Sequence, residues 1–289
     1  MMPRRTDDRR VVTIAVTSGK GGVGKTNVVI NLAVSLARLR HRVAILDADF
    51  GLGNVDVLLG LAPPSHIGHV IAGEKTLQDV MVPGPLGVRL IPATSGLRQM
   101  TALAPEGWKE IRSGLATLAD SLDYLIVDTA AGISSNVIDA LGLAHRVVIV
   151  TSLEPTAVVD AYAMVKVLSA EAPAQPIGIL VNNAADGHEA QLVFSQLEVA
   201  SRRFLKRGLE YYGFVTHDPG VREAVLMQRA IVDHLPQAPA SRCFRILASR
   251  IAGMDPPRGQ GMHLVTPLPA APLPAAPPAA PATERPQCA

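Results

Sequence analysis

The sequence predicts an α/β fold in which a mostly parallel, twisted sheet of about seven or eight strands carries helices on both faces. Short β-branched runs alternate along the chain with longer stretches of helical periodicity, which is typical of a parallel sheet with right-handed crossovers. The short runs are almost continuously apolar, as expected for strands buried on both faces. In such folds ligands bind beyond the carboxyl ends of the strands, so we expect the functional residues there.

The predicted elements follow one another without long gaps. The strand candidates are VVTIAVT (11–17), RVAILD (42–47), VRLIP (88–92), YLIVD (124–128), RVVIVT (146–151), IGILVN (177–182) and YYGFV (211–215). The helix candidates cover 26–40, 105–121, 134–142, 156–170, 188–207 and 240–252.

Composition divides the 289 residues into three regions. Residues 1–10 contain four arginines and two aspartates, and they predict a disordered basic arm. Residues 253–289 hold 10 of the 23 prolines, interleaved with alanine, and predict a disordered Pro/Ala-rich tail. Residues 11–252 keep 21 basic and 21 acidic side chains, so we expect one electrically balanced domain, and we do not expect nucleic acid as a partner.

Composition also bounds the compartment and the chemistry. No apolar run approaches the roughly 18 to 20 residues that span a bilayer, and the start, MMPRRTDDRR, lacks the apolar centre of a signal peptide. We therefore expect a cytoplasmic protein. The two cysteines, Cys243 and Cys288, are too few for a disulfide framework, a four-thiolate zinc site or an iron–sulfur cluster, which argues against redox chemistry.

A glycine-rich segment follows the first strand and precedes the first helix. It matches the pattern GxxxxGK[ST] in full, and the residues expected to bind nucleotide are Gly19, Lys20, Gly21, Gly22, Val23, Gly24, Lys25, Thr26 and Asn27. The glycines let the backbone turn tightly and point its N–H groups at an anion, next to a helix N-terminus that also favours phosphate. The pattern predicts that Lys25 reaches the β and γ phosphates and that the Thr26 hydroxyl binds Mg²⁺.

A second lysine in this loop is less usual. The chain has six lysines, and two of them, Lys20 and Lys25, lie five positions apart. Neighbouring ammonium groups repel each other unless a highly charged anion, or the phosphate of a neighbouring subunit's nucleotide, compensates them. The run KGGVGKT resembles the deviant Walker A loop of the MinD/ParA ATPases. The resemblance implies that Lys20 crosses a dimer interface to the partner's phosphates, which makes dimerisation depend on ATP; a solvated loop lysine is the alternative.

Acidic side chains end the second and fourth strands. Alternation puts Asp47 and Asp49 on one side of the second strand's carboxyl end, within reach of a γ-phosphate in the loop. Asp128 ends the run LIVD, a pattern that holds Mg²⁺ in nucleotide hydrolases. In the resembling family, the position of Asp49 orients the attacking water and that of Asp47 supports the metal site. A helix cap is the alternative role for both aspartates of the second strand.

These residues predict a slow, Mg²⁺-dependent ATPase. The expected catalytic residues are Lys20, Lys25 and Asp49, and the expected metal-site residues are Thr26, Asp47 and Asp128. No arginine finger or single catalytic base stands out, which fits slow hydrolysis driven by positioning and electrostatics.

The adenine is expected to bind near the end of the sixth strand. An amide there can offer the base edge a donor and an acceptor, and the resembling family uses an asparagine for this purpose. Asn182 follows the apolar run directly, Asn183 is the fallback, and either can instead form an Asx turn. Asp218, in the segment 216–236 that corresponds to the family's second adenine-flanking loop, is a weaker candidate, because Asp-Pro-Gly is first of all a turn with a helix cap.

Four segments make the resemblance more specific. SGKGGVGKTNVVINLAVSLA, DADFGLGNVDVLLGL, HVIAGEKTLQDVMVPGPLGVRLIPATSG and LIVDTAAGIS are similar to the flagellar-number regulators of the FlhG/FleN branch, with coverage from about residue 11 to 252. The resemblance implies an ATP-dependent homodimer that restrains flagellar biogenesis and contacts a flagellar transcription activator, a signal-recognition-type GTPase or basal-body proteins. A MinD/ParA-type regulator of cell division or of chromosome or plasmid partition is the alternative.

The sequence departs from the pattern of the resembling family at two points, which bear on its expected partners and on membrane contact. Many flagellar members carry an Asp-Gln-Ala-x-x-Leu-Arg segment that stimulates the partner GTPase, and MMPRRTDDRR lacks it. Membrane-cycling relatives end in a basic amphipathic helix, and 241–254 has that pattern, with Phe244, Leu247 and Ile251 on one side. This helix either packs on the sheet, the interpretation that we favour, or makes a peripheral contact at the inner face of the membrane or the cell pole.

Overall fold

The computed structural model describes residues 11–93 and 103–254. The predicted basic arm and the predicted tail from 255 onward lie outside the described residues. Within the described ranges, eight strands form one sheet with the order β3-β4-β2-β5-β1-β6-β7-β8. All neighbouring strands pair in parallel except β3 and β4, which are antiparallel.

The strands are β1 (Val12–Thr17), β2 (Val43–Ala48), β3 (Val82–Pro83), β4 (Arg89–Ile91), β5 (Tyr124–Thr129), β6 (Arg146–Thr151), β7 (Ile177–Ala184) and β8 (Glu210–Thr216). The helices are α1 (Lys25–Arg38), α2 (Val55–Leu58), α3 (Ile67–Ile71), α4 (Leu77–Val80), α5 (Pro105–Thr117), α6 (Ser135–Leu141), α7 (Pro155–Glu171), α8 (Gly187–Ala200), α9 (Pro219–Leu226), α10 (Ile231–His234) and α11 (Pro239–Ala252).

Two apolar cores lie on opposite faces of the sheet, because successive strand residues point to opposite sides. On β1, Ala15 belongs to the core that α3 to α8 cover, whereas Ile14 and Val16 belong to the core that α1, α2 and α9 to α11 cover. All six residues of β2 and all six of β5 are buried. The predicted α/β sheet with helices on both faces is confirmed, and the carboxyl ends of its central strands meet at one edge.

Helix α11 uses its apolar side in the core. Phe244, Leu247 and Ile251 are 2–3% exposed and pack with residues of α1 and β8. Two hydrogen bonds fix the helix further, from the Arg250 guanidinium to the Tyr211 carbonyl (2.6 Å) and from the Ala240 N–H to the Asp218 carboxylate (3.0 Å). This packing supports the interpretation that the helix over 241–254 packs on the sheet, since the apolar face that a membrane contact would need is occupied. Of the helices described, none is both long and apolar enough to cross a bilayer.

Candidate nucleotide-binding site

The glycine-rich loop connects β1 to α1 at the carboxyl edge of the sheet. Gly22 and Gly24 have φ values of 82° and 87°, in the left-handed region that favours glycine. A Cβ on Gly24 would lie 2.4 Å from the Asn182 amide nitrogen, so this position also needs glycine for the close approach of β7. Asn27 lies in the first turn of α1, where its carbonyl accepts a bond from the Asn31 side chain (2.8 Å).

Lys25 points down into the protein and not out into the loop. Its Nζ donates to Asp128 Oδ1 at 2.7 Å, and both side chains are buried, at 9% and 2% exposed. The Thr26 side chain also lies close enough to Asp128 to lower the pKa of its carboxyl. The lysine of the loop, its threonine and the carboxylate that ends β5 therefore form one buried polar cluster, which the register between β1 and β5 creates by pairing Val16 with Asp128.

Asp47 lies beside this cluster. The register of β2 and β5 places Asp47 directly next to Asp128. Asp47 is 2% exposed and accepts hydrogen bonds from the N–H groups of Asp49 (3.1 Å) and Val55 (3.2 Å). Burial, with the neighbouring Asp128 carboxylate, raises the pKa of Asp47 to about 8, because both disfavour its charged form. Burial also raises the pKa of Asp128, while Lys25 opposes that increase.

Two further segments make hydrogen bonds next to the cluster. Asp49, half-buried, accepts a hydrogen bond from the Leu52 N–H (3.1 Å) in the loop between β2 and α2. Gly132, at φ 90°, donates from its N–H to the Ser18 carbonyl (2.9 Å), which links the segment after β5 to the start of the phosphate loop. The Gly132 bond therefore ties the segment after β5 to the phosphate loop, whereas the Asp49 carboxylate bonds within its own loop.

Lys20 is bonded to other residues of the same chain. Its Nζ forms an ion pair with Glu154 and donates to the Thr156 hydroxyl at 3.1 Å. Gly19 packs so closely on α7 that a Cβ there would lie 2.2 Å from the Asp160 carbonyl oxygen. Glu154 and Thr156 were not among the predicted site residues, although the run SLEPT directly after the apolar β6 carried the same signal, polar residues at a strand's carboxyl end, that identified Asp47 and Asp128.

A cavity of about 380 Å³ opens beside the loop, on the side of β7 and β8. It is lined by Lys20, Gly21, Gly22, Val23, Gly24, Ser152, Glu154, Asn182, Asn183, Thr216, Asp218 and Val221. Asn182 is one of these lining residues and donates its amide to the Val23 carbonyl (2.7 Å). Asn183 has a left-handed backbone, with φ 60°, and hydrogen-bonds the His217 ring (2.7 Å). An amide of β7 therefore lies next to the phosphate loop.

Asp218 has a structural use in this arrangement. One carboxylate oxygen accepts from the Gly220 N–H (2.9 Å) and caps α9, and the other accepts from the Ala240 N–H (3.0 Å) at the start of α11. Both oxygens are thus engaged although the residue lines the cavity. This favours the cap and not contact with a base.

The donor set of the buried cluster fits Mg²⁺. It consists of a threonine hydroxyl and aspartate carboxylates, which are the hard oxygen ligands that this ion prefers. Two carboxylates lie side by side with raised pKa values and with one buried ammonium, so a divalent cation would offset their repulsion. Across residues 11–93 and 103–254 no group of three or more His, Cys, Asp or Glu side chains forms a metal cage, and Mg²⁺ in nucleotide sites needs only one or two carboxylates besides phosphate.

Known proteins share this sequence and fold. The ParA family model described as NUBPL iron-transfer P-loop NTPase matches residues 10–252. The antiactivator FleN of Pseudomonas aeruginosa is 42% identical over 254 residues, which cover 88% of this chain and 91% of FleN. The flagellum site-determining protein YlxH of Helicobacter pylori is 32% identical over 243 residues, with 82% of each chain covered.

A solved structure shows the same fold. The septum site-determining protein MinD from Pyrococcus horikoshii, in complex with Mg-ADP, superposes with a TM-score of 0.71 at 22% identity and covers 84% of this chain and 96% of its own. The family match over almost the whole described domain and the similarity to FleN agree with the loop, the carboxylates and the sheet order. The chain therefore belongs to the MinD/ParA family of P-loop NTPases, with close homology to the flagellar regulators FleN and YlxH.

Proposed function

We propose that the protein is an ATP-dependent switch that forms a homodimer with bound ATP, hydrolyses it slowly with Mg²⁺ and thereby regulates the number or biogenesis of flagella. One observation carries the proposal: two lysines of a single phosphate loop each have a carboxylate partner in the same subunit, Lys25 with Asp128 and Lys20 with Glu154. Both partners can be exchanged for phosphate oxygens. The switch would consist of that exchange.

Each residue of the site has a defined task in this proposal. The loop N–H groups and the α1 N-terminus bind the phosphates, and Lys25 turns from Asp128 to the β and γ phosphates. Thr26, Asp128 and Asp47 would hold Mg²⁺, which supplies charge neutralisation at the phosphates when bound. Asp49 orients the attacking water, and Asn182 offers its amide to the adenine edge. The complex of the MinD neighbour with Mg-ADP supports these cofactors.

Release of Lys20 would couple ATP to dimerisation. In the present conformation the Lys20 side chain is 38% exposed and the Glu154 side chain 66% exposed, so water and salt weaken their ion pair. A γ-phosphate in a second subunit carries more charge than one carboxylate and is a stronger partner. Lys20 would therefore leave Glu154 for the partner subunit's nucleotide only when ATP is bound there.

Size-exclusion chromatography with light scattering tests the dimer. We expect Asp49→Ala, which slows hydrolysis, to be dimeric with saturating Mg-ATP and monomeric with Mg-ADP, and we expect Lys20→Ala to be monomeric with both. A monomeric Asp49→Ala protein in saturating Mg-ATP would show that the switch is wrong.

Glu154→Gln provides a finer test. Removal of the cis carboxylate should lower the ATP concentration for half-maximal dimerisation by about two- to fivefold, the range expected for an exposed ion pair. Glu171→Gln, at the other end of α7, is the matched control and should leave that concentration unchanged. A higher ATP requirement for Glu154→Gln would contradict the competition between Glu154 and phosphate.

The flagellar output rests on the similarity to FleN and YlxH. The expected partners are a flagellar transcription activator, a signal-recognition-type GTPase or a basal-body protein. Flagella counted by electron microscopy should increase in a deletion strain, and Lys20→Ala should fail to restore the normal number. Normal flagellation with misplaced septa or lost replicons would instead support the division or partition role. The iron-transfer activity in the family model's description is not proposed, since Cys243 and Cys288 are the two cysteines of the sequence and iron cargo requires a thiolate set.

A further inference from the structure

The turn between α8 and β8 exposes an aromatic ring. Phe204 is 68% exposed and is the one aromatic side chain among the exposed large apolar residues of the described ranges. Val199, at the end of α8, is 64% exposed. Three exposed cations, Arg202, Arg203 and Lys206, share this turn. We call Val199, Arg202, Arg203, Phe204 and Lys206 the Phe204 corner.

Local bonds hold the corner in place. Ser201–Leu205 form a π-helical turn, and the buried Ser201 hydroxyl donates to the Arg207 carbonyl (2.8 Å). The Arg207 guanidinium donates to the carbonyls of Leu168 (2.9 Å) and Ala172 (3.2 Å). Leu205 packs against the core that α7 and α8 cover. With Leu205 directed inward and the turn closed by these bonds, Phe204 is directed outward.

The charge of the corner differs from that of the domain. Residues 198–207 contain four basic side chains and one acid, Glu198, which pairs with Arg202. The net charge of +3 contrasts with the balanced 21 basic and 21 acidic residues of 11–252. The Arg203 guanidinium lies 5.3 Å from the centre of the Phe204 ring, so a cation and an apolar ring lie side by side at the surface.

The position of the corner separates it from the nucleotide site. Helix α8 starts beyond the carboxyl end of β7 and returns the chain to the amino end of the parallel strand β8. The corner therefore lies at the amino edge of the sheet, opposite to the phosphate loop. A surface bound there would leave the loop and the Lys20 side free.

We propose that the Phe204 corner is a peripheral contact with an anionic lipid bilayer. Apolar side chains surrounded by arginine and lysine suit the boundary of such a membrane, where rings enter the acyl region and cations meet lipid phosphates. A fluid bilayer accommodates one outward ring on a helix end, whereas a folded protein partner would have to provide a shaped pocket. Among residues 11–93 and 103–254, α11 cannot supply this contact, because its apolar side is in the core.

Vesicle binding by the full chain tests the proposal. Phe204→Trp places a reporter at the corner, while the native Trp108 is 2% exposed and should not respond. With vesicles of 70% phosphatidylcholine and 30% phosphatidylglycerol, we expect a blue shift of the emission and co-sedimentation that salt weakens. Phe204→Ala should reduce the partition coefficient about fivefold, and each of Arg203→Glu and Lys206→Glu should reduce it about fivefold or more, since a basic residue near an anionic surface contributes about that factor. Vesicles of pure phosphatidylcholine should bind poorly.

Two variants of α11 provide the matched controls. Ile246→Ala removes an apolar side chain of similar exposure (59%), and Arg242→Glu reverses an exposed charge, and both should bind vesicles like the parent. Circular dichroism checks that every variant is folded. Equal binding to neutral vesicles, a loss of binding in the α11 variants but not in Phe204→Ala, or a Phe204→Trp response to oligo(dT) and not to vesicles would each overturn the proposal. The measurements need no nucleotide, so their outcome is independent of the ATP switch.

Discussion

Replacement of Asp128 by asparagine leaves the Lys25 ammonium in the interior without a negative partner. The Lys25 side chain is 9% exposed, and its Nζ lies 2.7 Å from Asp128 Oδ1. Asparagine keeps the shape and one carbonyl acceptor but removes the charge. Replacement of both residues, with Lys25→Met and Asp128→Asn, removes the ammonium together with its counterion.

The distance sets the scale of the expected effect. Two unit charges 2.7 Å apart attract each other by about 6 kcal/mol at an effective dielectric constant of about 20. Part of this attraction offsets the desolvation free energy of the buried charges, and loss of one partner from a buried pair lowers the free energy of unfolding by about 3–5 kcal/mol. For Asp128→Asn we expect the lower end, about 3 kcal/mol, because asparagine keeps a carbonyl acceptor for the Lys25 ammonium. The double variant should lie within about 1 kcal/mol of the wild type.

Urea unfolding without nucleotide, at pH 7, measures these differences. Fluorescence of the buried Trp108 follows the transition. The wild type, both single variants and the double variant form a double-mutant cycle, whose coupling free energy should be about 5 kcal/mol or more, since each single loss costs about 3 kcal/mol or more and the double loss at most about 1 kcal/mol. If the free-energy changes of the single variants add up to that of the double variant, the ion pair is not what holds Lys25 in the nucleotide-free protein.

Three further outcomes are expected. Burial and Asp128 raise the pKa of Asp47 from 3.8 to about 8, so the folded state keeps a proton that the unfolded state loses above about pH 4. The free energy of unfolding should therefore fall as the pH rises from about 4 to 8, and this fall should be smaller in Asp47→Asn. Urea unfolding midpoints at pH 5, 6.5 and 8 measure the difference. Gly19→Ala should lower the free energy of unfolding by about 1–3 kcal/mol, because the new Cβ would lie 2.2 Å from the Asp160 carbonyl oxygen. The control Gly21→Ala meets no atom within 4 Å and should leave the melting temperature unchanged. Equal melting temperatures of the two variants would contradict the close packing of the loop on α7. In urea unfolding, Phe244→Ala should lower the free energy of unfolding by about 3–5 kcal/mol, because the ring is buried, and Ile246→Ala, at an exposed position, by less than about 0.5 kcal/mol. Similar losses in the two variants would contradict the burial of one side of α11.

Local sequence patterns were sufficient for the main elements. The strand predicted over 146–151 matches β6 at both ends, and the helix predicted over 240–252 differs from α11 by one residue. A helix or strand that buries a face needs apolar residues at regular positions, and these positions are visible in the sequence itself. The elements that were not predicted, β3, α2 to α4, α9 and α10, have two to eight residues, too few for a periodic signal.

The chemistry of the phosphate loop also follows from local sequence, because its glycines, Lys25 and Thr26 act through the backbone of one continuous segment. The sequence likewise indicated that Asp47, Asp128 and Asn182 lie at one edge, since each ends a parallel strand.

Which side chains pair at that edge depends on strand order and register. Asp47 lies beside Asp128 because β2 and β5 are neighbours in the sheet, and Lys20 meets Glu154 across 134 positions of sequence because β6 lies next to β1. The same holds for Phe244 and Phe204, which both have basic residues as close neighbours in the sequence. Packing buries Phe244 and directs Phe204 outward, because burial depends on what lies opposite a residue in space and not on its neighbours in the chain.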